Sequence, residues 1–302
     1  MRQALQKLFG SGNSKPAVIP NQPTPLPETW VPPGHFYSPI VDLNELHENR
    51  HRVFDRSAEP IGIDLRERQQ VSLLNELSGH RAKLPFKPEK QEGLRYFYEN
   101  PSYSYGDAIV LGSMLLHTQP KCVVEFGSGY SSCLFLDINE VFFENKIQCT
   151  FVEPHPELLF SLINYEDQQR CKIMSCRAQD IPLSLIDDLD AGDVVFIDST
   201  HVSKAGSDVN FHMFTTLPRL KSGVYIHFHD IFYPFEYPES WFFDENRSWN
   251  EIYMLRAFLT GNSDFEIVFF NDFMHVRHGA ETEAALPMFT LNPGGSLWLR
   301  KL

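Results

Sequence analysis

Two β-rich runs in this 302-residue sequence end in acids and imidazoles. VVFIDSTH closes on Asp198 with His201 three residues later, and VYIHFHD closes on His229 and Asp230. A neutral imidazole takes up a proton near physiological pH, and carboxylates with an imidazole nitrogen hold a divalent cation. Asp198, His201, His229 and Asp230 are therefore candidate catalytic residues able to deprotonate an alcohol, bind a metal, or do both. Asp198, Asp230 and His201 are the candidate metal ligands. Two carboxylates with water or substrate oxygens suit Mg²⁺, whereas an added imidazole suits Mn²⁺, Fe²⁺ or Zn²⁺ better. His227, inside the second run, reads as a satisfied core histidine. Asp208 reads as facing solvent or His212 one helical turn on.

Such groups meet only if their strands lie side by side. From Lys121 onward, short β-rich runs alternate with amphipathic stretches: Cys122–Phe126, Ile147–Val152, Cys171–Met174, Val194–Asp198 and Val224–His229. Each gap is long enough for a crossover, which predicts a parallel sheet covered by helices on both faces. Between the fourth and fifth runs, Val209, Met213, Leu217 and Leu220 form an apolar stripe, with Pro218 shortening or kinking the helix near its end. Phe265–Phe270 and Ser296–Leu302 follow a helix carrying Ile252, Leu255 and Leu259, and are expected to close the sheet as an antiparallel hairpin. The expected fold is α/β, a Rossmann-like seven-stranded, mostly parallel sheet with a small N-terminal helical cap. In an open sheet of this kind ligands sit outside the carboxyl ends of the strands, where Asp198, His229 and Asp230 fall.

The first run ends in VVEFGSGYSSCLFL. Gly127 and Gly129 permit a tight turn and close approach of a ligand, and the helix that follows offers unpaired amides to an anionic group. A cofactor is expected there. The second run ends at Glu153, about 20 residues beyond the glycines, a spacing at which an acid bonds ribose hydroxyls. Glu153 as a mere helix-start acid is the plainer alternative. A nicotinamide nucleotide would also use a glycine turn followed by an acid, although Ser132 replaces the third glycine of that fingerprint.

Taken in order, EFGSGYSS, FVEPHP, RAQDI, VVFIDSTH and YIHFHD resemble the successive motifs of class I S-adenosylmethionine-dependent methyltransferases, over about residues 100–302. The resemblance implies S-adenosylmethionine as cofactor. It places the cofactor's amino-acid part over Glu125, Gly127, Ser128, Gly129, Tyr130 and Ser131, the ribose at Glu153, and the adenine at Asp180 with Gln179 beside it. Tyr105 and Asp107, in the preceding NPSYSYGD, would cover the cofactor from the capping side. Asp198-x-x-His201 followed by His229-Asp230 resembles a bacterial branch that includes sugar O-methyltransferases of natural-product pathways. Catechol-type relatives carry Asp-Asn where this chain has His229-Asp230, which departs from their metal site. The activity implied is O-methylation of a small-molecule or glycosidic hydroxyl, with His201 or His229 as base and Mg²⁺ or Mn²⁺ as candidate ions. An NAD-dependent oxidoreductase and a non-catalytic cofactor-binding protein are the alternatives.

Composition bounds the rest. Twenty-six Lys and Arg against 39 Asp and Glu give a net charge of -13, which argues against a nucleic-acid partner. No apolar run approaches the roughly 18 residues of a membrane span, and MRQALQKLFG lacks the apolar stretch of a secretory signal, so a cytoplasmic protein is expected. The five cysteines read as buried thiols. Eight of the 21 prolines fall between Pro16 and Pro39, marking a proline-rich arm over 1–41, followed by the helical cap and linker over 42–100 and the methyltransferase domain over 101–302. After Asp230, the aromatics Phe232, Tyr233, Phe235, Tyr237, Trp241, Phe242 and Phe243 suit either a substrate lid or packing of the cap onto the core.

Overall fold

The computed structural model describes residues 29–302, so most of the expected proline-rich arm lies outside the described residues. The described residues divide into two units, 29–42 and Leu43–Leu302. In the first, the described residues form turns closed by a bond from the Gly34 amide to the Ile40 carbonyl at 3.1 Å.

The second unit begins with α1 (Leu43–Glu48), α2 (Arg50–Val53), α3 (Glu67–Arg81) and α4 (Tyr105–Thr118). There follow β1 (Cys122–Phe126), α5 (Tyr130–Phe143), β2 (Gln148–Val152), α6 (Glu157–Leu162), α7 (Tyr165–Arg170) and β3 (Lys172–Met174). Next come α8 (Ser184–Asp187), β4 (Val194–Ile197), α9 (Asp208–Phe211), a π-helical turn (His212–Thr216), α10 (Leu217–Arg219) and β5 (Tyr225–Phe228). The chain ends with α11 (Glu239–Phe243), α12 (Glu251–Leu259), β6 (Phe265–Phe270), α13 (Asn271–Ala285) and β7 (Leu297–Lys301). The seven strands form one sheet in the order β3-β2-β1-β4-β5-β7-β6. All neighbouring pairs from β3 to β5 are parallel, and β7 runs antiparallel between β5 and β6. This is the expected fold class. β6 and β7 pair as expected, although α13 rather than a tight turn connects them.

The central strands are apolar on both faces, as a sheet covered on both sides requires. Val194, Val195, Phe196 and Ile197 of β4 are all fully buried. In the helical stretch before β5, Val209, Met213, Leu217 and Leu220 face the core. The helix widens into its π turn just ahead of Pro218, whose ring cannot continue an ordinary ladder. Among the described residues, no helix is long and apolar enough to cross a membrane.

Register fixes what happens at the strand ends. Phe126 pairs with Val152 and Ile197, and Ile197 pairs with Phe228. Bonding continues one residue further: the Gly127 amide reaches the Val152 carbonyl, Asp198 reaches Phe126, and His229 reaches Ile197, at 3.1, 2.9 and 2.9 Å. Gly127, Glu153, Asp198 and His229 therefore line one edge of the sheet.

Arg95 clamps the segment before α4 to helices α5 and α7. Its guanidinium donates to Asp137 on α5 and Asp167 on α7, and the amides of Arg95 and Tyr96 also donate to Asp137. Both acids are essentially inaccessible to solvent. Removing the cation leaves two buried carboxylates uncompensated, a change that costs about 3–5 kcal/mol. Arg95→Met should lose that much stability in urea denaturation; a loss below about 1 kcal/mol would mean that the acids find other compensation.

Candidate active site

Two clefts open along this edge. The first, of about 470 Å³, is walled by Gly127, Glu153, His155, Gln179, Thr200 and Asp208, among others. Gly127 has φ +85°, and a side chain there would drive a Cβ to 1.6 Å from the Asp198 carbonyl oxygen. Only glycine lets the turn pass this close to the end of β4. Glu153 holds the turn from the other side, accepting from the Ser128 amide at 3.2 Å and the His155 amide at 2.7 Å. Asp208 is buried rather than facing solvent, and fixes Thr200 through that residue's amide and hydroxyl at 2.9 and 2.6 Å. The Ser128 hydroxyl and the Gln179 side-chain oxygen are buried without partners. Of these two, Gln179 lines the cleft, and its orphaned oxygen with the Glu153 carboxylate fits a polar nucleoside such as adenosine, which would satisfy it.

The structure does not bring every expected cofactor residue to this wall. Glu125 lies fully buried beneath the turn, accepting from the Ser131 and Ser132 hydroxyls. Asp180 is exposed and pairs with Arg177 at 2.7 Å, while its neighbour Gln179 lines the cleft. Tyr105 is buried with its hydroxyl on Glu99, and Tyr130 packs edge-on against Phe97. Gly129 has extended backbone, and a Cβ there would meet only Leu158, at 3.4 Å.

The second cleft, of about 700 Å³, shares Asp198 and Ser199 with the first. At its floor Asp198, His201 and Asp230 place ligand atoms within 4.8 Å of one another. His201 Nε2 lies 3.3 Å from Asp198 and 3.6 Å from Asp230, and His229 Nδ1 lies 3.3 and 3.4 Å from the same two acids. His201 Nδ1 meets Glu251 at 2.9 Å, and His229 Nε2 meets Asp107 at 3.3 Å. Asp107 in turn accepts from Ser296 and Asn271, and Ser296 reaches His227, which stacks on Phe196 within the core. His201 and Asp230 both adopt left-handed backbone, φ +57° and +59°. Such conformations persist where the surroundings over-determine them. The amides of Asn250 and Glu251 both donate to the His201 carbonyl at 3.1 Å, and the Trp249 ring lies 4.4 Å from the imidazole.

Burial opposes the charge on both imidazoles, but their carboxylate neighbours prevail. Hydrogen bonds to Asp198 and Glu251 raise His201 to about 10. His229 is held well above its usual range, chiefly by Asp198 and Asp230. Burial likewise disfavours the Asp198 anion, yet His229 and His201 hold its carboxyl far below the carboxylate range.

The aromatic segment after Asp230 divides between the core and the second cleft. Tyr233, Phe235, Tyr237 and Phe242 are buried, whereas Phe232 and Trp241 line the second cleft. The Arg247 guanidinium stacks on Trp241 and Trp249 at 4.1 and 4.5 Å, completing that wall. Glu251, Ser296, Arg247 and Trp249 were not singled out from the sequence. Glu251 stands 50 residues from His201, and no local pattern links the two.

Residues 124–231 match a family described as a methyltransferase domain. An uncharacterized protein of Archaeoglobus fulgidus is 31% identical over 166 residues, which span 53% of this chain and 73% of that one. Among solved structures, CmcI with Mg and SAM is 15% identical over 71% of this chain and 77% of its own, with TM-score 0.41. An SAH-bound Podospora anserina methyltransferase is 14% identical over 87% of this chain and 98% of its own, with TM-score 0.40. Residues 124–231 of the chain thus carry a domain of the methyltransferase family.

Glu125 yields a prediction about pH. Burial raises its carboxyl to about 8, although the two serine hydroxyls favour the anion. A carboxyl whose folded pKa lies above its unfolded value contributes stability that is complete below about 4.3 and is lost as pH rises through 8. Between pH 5 and 8.5 the thermal midpoint of Glu125→Gln should therefore gain on that of the wild type. Parallel curves across this window would show that Glu125 is ionised in the native state.

Proposed function

We propose that the protein transfers the methyl group of S-adenosylmethionine to a hydroxyl oxygen of a small-molecule or sugar acceptor. The single observation that carries this reading is the meeting of the two clefts at Asp198. One cleft has the glycine turn, Glu153 and Gln179 to hold an adenosyl group. The other has acids and imidazoles suited to an acceptor whose proton must leave.

In this reading Glu153 accepts hydrogen bonds from the ribose hydroxyls, Gln179 flanks the adenine, and the Gly127–Ser131 turn carries the amino-acid end. Asp180, exposed and paired with Arg177, has the weakest case for an adenine contact. The acceptor enters over Asp198 and Asp230, with Trp241 and Phe232 beside it. Its oxygen attacks the methyl carbon in line as the carbon–sulfur bond breaks, and sulfur keeps the electron pair. The acceptor proton passes to the acid–histidine cluster. Displacement by oxygen is faster from the deprotonated acceptor, which is why such a cluster belongs here. Asp198, Asp230 and His201 would hold a divalent cation, and the donor set fits one because oxygen and nitrogen ligand atoms already converge. The cation would lower the pKa of an acceptor hydroxyl. The five unpaired cysteines support a cytoplasmic setting.

Separable functions for the two clefts give a two-sided test. By calorimetry, Glu153→Ala should bind S-adenosylhomocysteine at least ~10-fold more weakly, since a charge-assisted pair of hydrogen bonds is lost. Asp230→Ala should bind it within about twofold of wild type, while turnover in an acceptor screen biased to sugars and polyols falls by ~100-fold or more. Unchanged cofactor affinity in Glu153→Ala would remove the ribose assignment, and retained turnover in Asp230→Ala would remove the acceptor site.

A further inference from the structure

Above its acid–histidine floor, the second cleft has a wall built around one guanidinium. Arg247 follows α11 in a turn held by its own amide, which donates to the Trp241 carbonyl at 2.8 Å. Its guanidinium carbon lies 4.1 Å from the Trp241 ring centre and 4.5 Å from that of Trp249, and the two indoles stand edge to face at 81°. The cation is therefore pinned in a corner between rings. Those rings have other neighbours as well: Tyr237 stacks on Trp241 at 5.7 Å, Phe232 meets it edge-on at 5.1 Å, and Trp249 lies 4.4 Å from the His201 imidazole. What the wall has left to give a ligand is the edge of the guanidinium, where five N–H donors lie in one plane. Among the described residues, Glu245 is the only acid that meets those donors, through one Nη at 2.6 Å, and Glu245 is exposed and does not line the cleft. An aliphatic side chain would fill the same corner without desolvating a charge. A second observation points the same way: His275, on α13, lines this cleft and its Nδ1 is buried without a partner. A buried ring nitrogen in that state is polar capacity that a ligand group would satisfy.

We infer that the acceptor carries an oxyanion, a carboxylate or a phosphate, which Arg247 holds in a bidentate pair while the hydroxyl to be methylated lies over Asp198 and Asp230. The inference rests on the methyl-transfer reading above and adds the substrate class. Trp249 contacts both Arg247 and His201, so the anion and the reacting hydroxyl stand a single ring apart. A hydroxylated six-membered ring with its anionic group on the far side fits that span. The local cation matters because the chain as a whole opposes such a ligand: its net charge is -13, and Asp107, Asp198 and Asp230 all line the same cleft. Glu245 is a weak competitor, since an ion pair between exposed side chains is worth little and a planar guanidinium grips a second oxyanion through its free donors.

The test titrates the full-length protein, saturated with S-adenosylhomocysteine, by calorimetry with matched probes. One series is meta-hydroxybenzyl alcohol, meta-hydroxybenzoate and meta-hydroxyphenyl phosphate; the other is glucose against glucuronate. In at least one series the anion should bind ~10-fold or more tightly than its neutral counterpart, as charge-assisted hydrogen bonds require, and the tighter of benzoate and phosphate distinguishes the two oxyanions. Arg247→Gln should abolish that preference, with affinity for S-adenosylhomocysteine retained as the check on folding. Arg247→Lys, which keeps the charge but loses the planar fork, should recover only part of it. Glu245→Gln, which removes the competing acid, should tighten the anion ~2–5-fold and leave the neutral probes as they are. If Arg247 merely packs the wall, Arg247→Gln will weaken neutral and anionic probes alike and leave their ratio intact, which overturns the assignment. Anions bound no more tightly than neutral probes, or no binding of either, overturn it too, while S-adenosylhomocysteine binding keeps the methyl-transfer reading standing. If the wild type does not bind S-adenosylhomocysteine, that reading fails and the acceptor assignment fails with it.

Discussion

Asp198 and Asp230 stand at the tips of adjacent strands with ligand oxygens close enough to share one ion, and their repulsion is the constraint around which this molecule is arranged. Two like charges about 4 Å apart cost about 4 kcal/mol at an effective dielectric near 20. The sheet register sets Asp198 level with His229, and Asp230 follows one residue further on. Nearby cations must therefore compensate them. The two histidines supply them, and each is backed by a further carboxylate, so the compensation extends from α4 on one side to α12 on the other.

That extension explains why distant elements carry so much of the site. Asp107 belongs to a helix that precedes the first strand, and Gly294 packs directly against it. A Cβ at Gly294 would fall 1.9 Å from the Asp107 carboxylate, and the backbone there has φ +72°. The loop leading into β7 is thereby seated on the start of α4, and Ser296, at its end, bonds both Asp107 and His227. Inserting β7 antiparallel between β5 and β6 brings this loop beside the catalytic edge. A wholly parallel sheet would have placed the start of its last strand at the opposite edge.

Much of this was legible in the sequence because the information is local. Alternating β-rich and amphipathic runs gave all seven strands to within two residues at either end, and the glycine turn, Glu153, Asp198, His201, His229 and Asp230 all followed from motifs a few residues long. What was not legible depends on pairs far apart in the chain. Glu251 meets His201 across 50 residues and Asp107 meets His229 across 122, and nothing in either short segment announces its partner. Tyr105 and Asp107 illustrate the limit well. Residues two apart on a helix point in different directions, so Tyr105 bonds Glu99 while Asp107, in the same first turn, reaches the acid–histidine cluster. Asp180 differs again, since its short motif says nothing of the exposure that leaves its carboxylate paired with Arg177.

The shared wall at Asp198 has a consequence for how the two clefts work together. Its backbone carbonyl touches the glycine turn of the first cleft, and its side chain belongs to the cluster flooring the second. In the proposed function, any shift in the turn that would seat the cofactor is therefore transmitted through one residue to a carboxylate that would face the acceptor. Reaction in an in-line displacement demands reacting atoms about 3–3.5 Å apart and aligned. A rigid common wall meets that demand better than two independently mobile sites would. The left-handed backbone at His201 and Asp230 fits the same logic, because strain held in place by Asn250, Glu251 and Gly295 keeps the acceptor side as fixed as the glycine turn keeps the cofactor side.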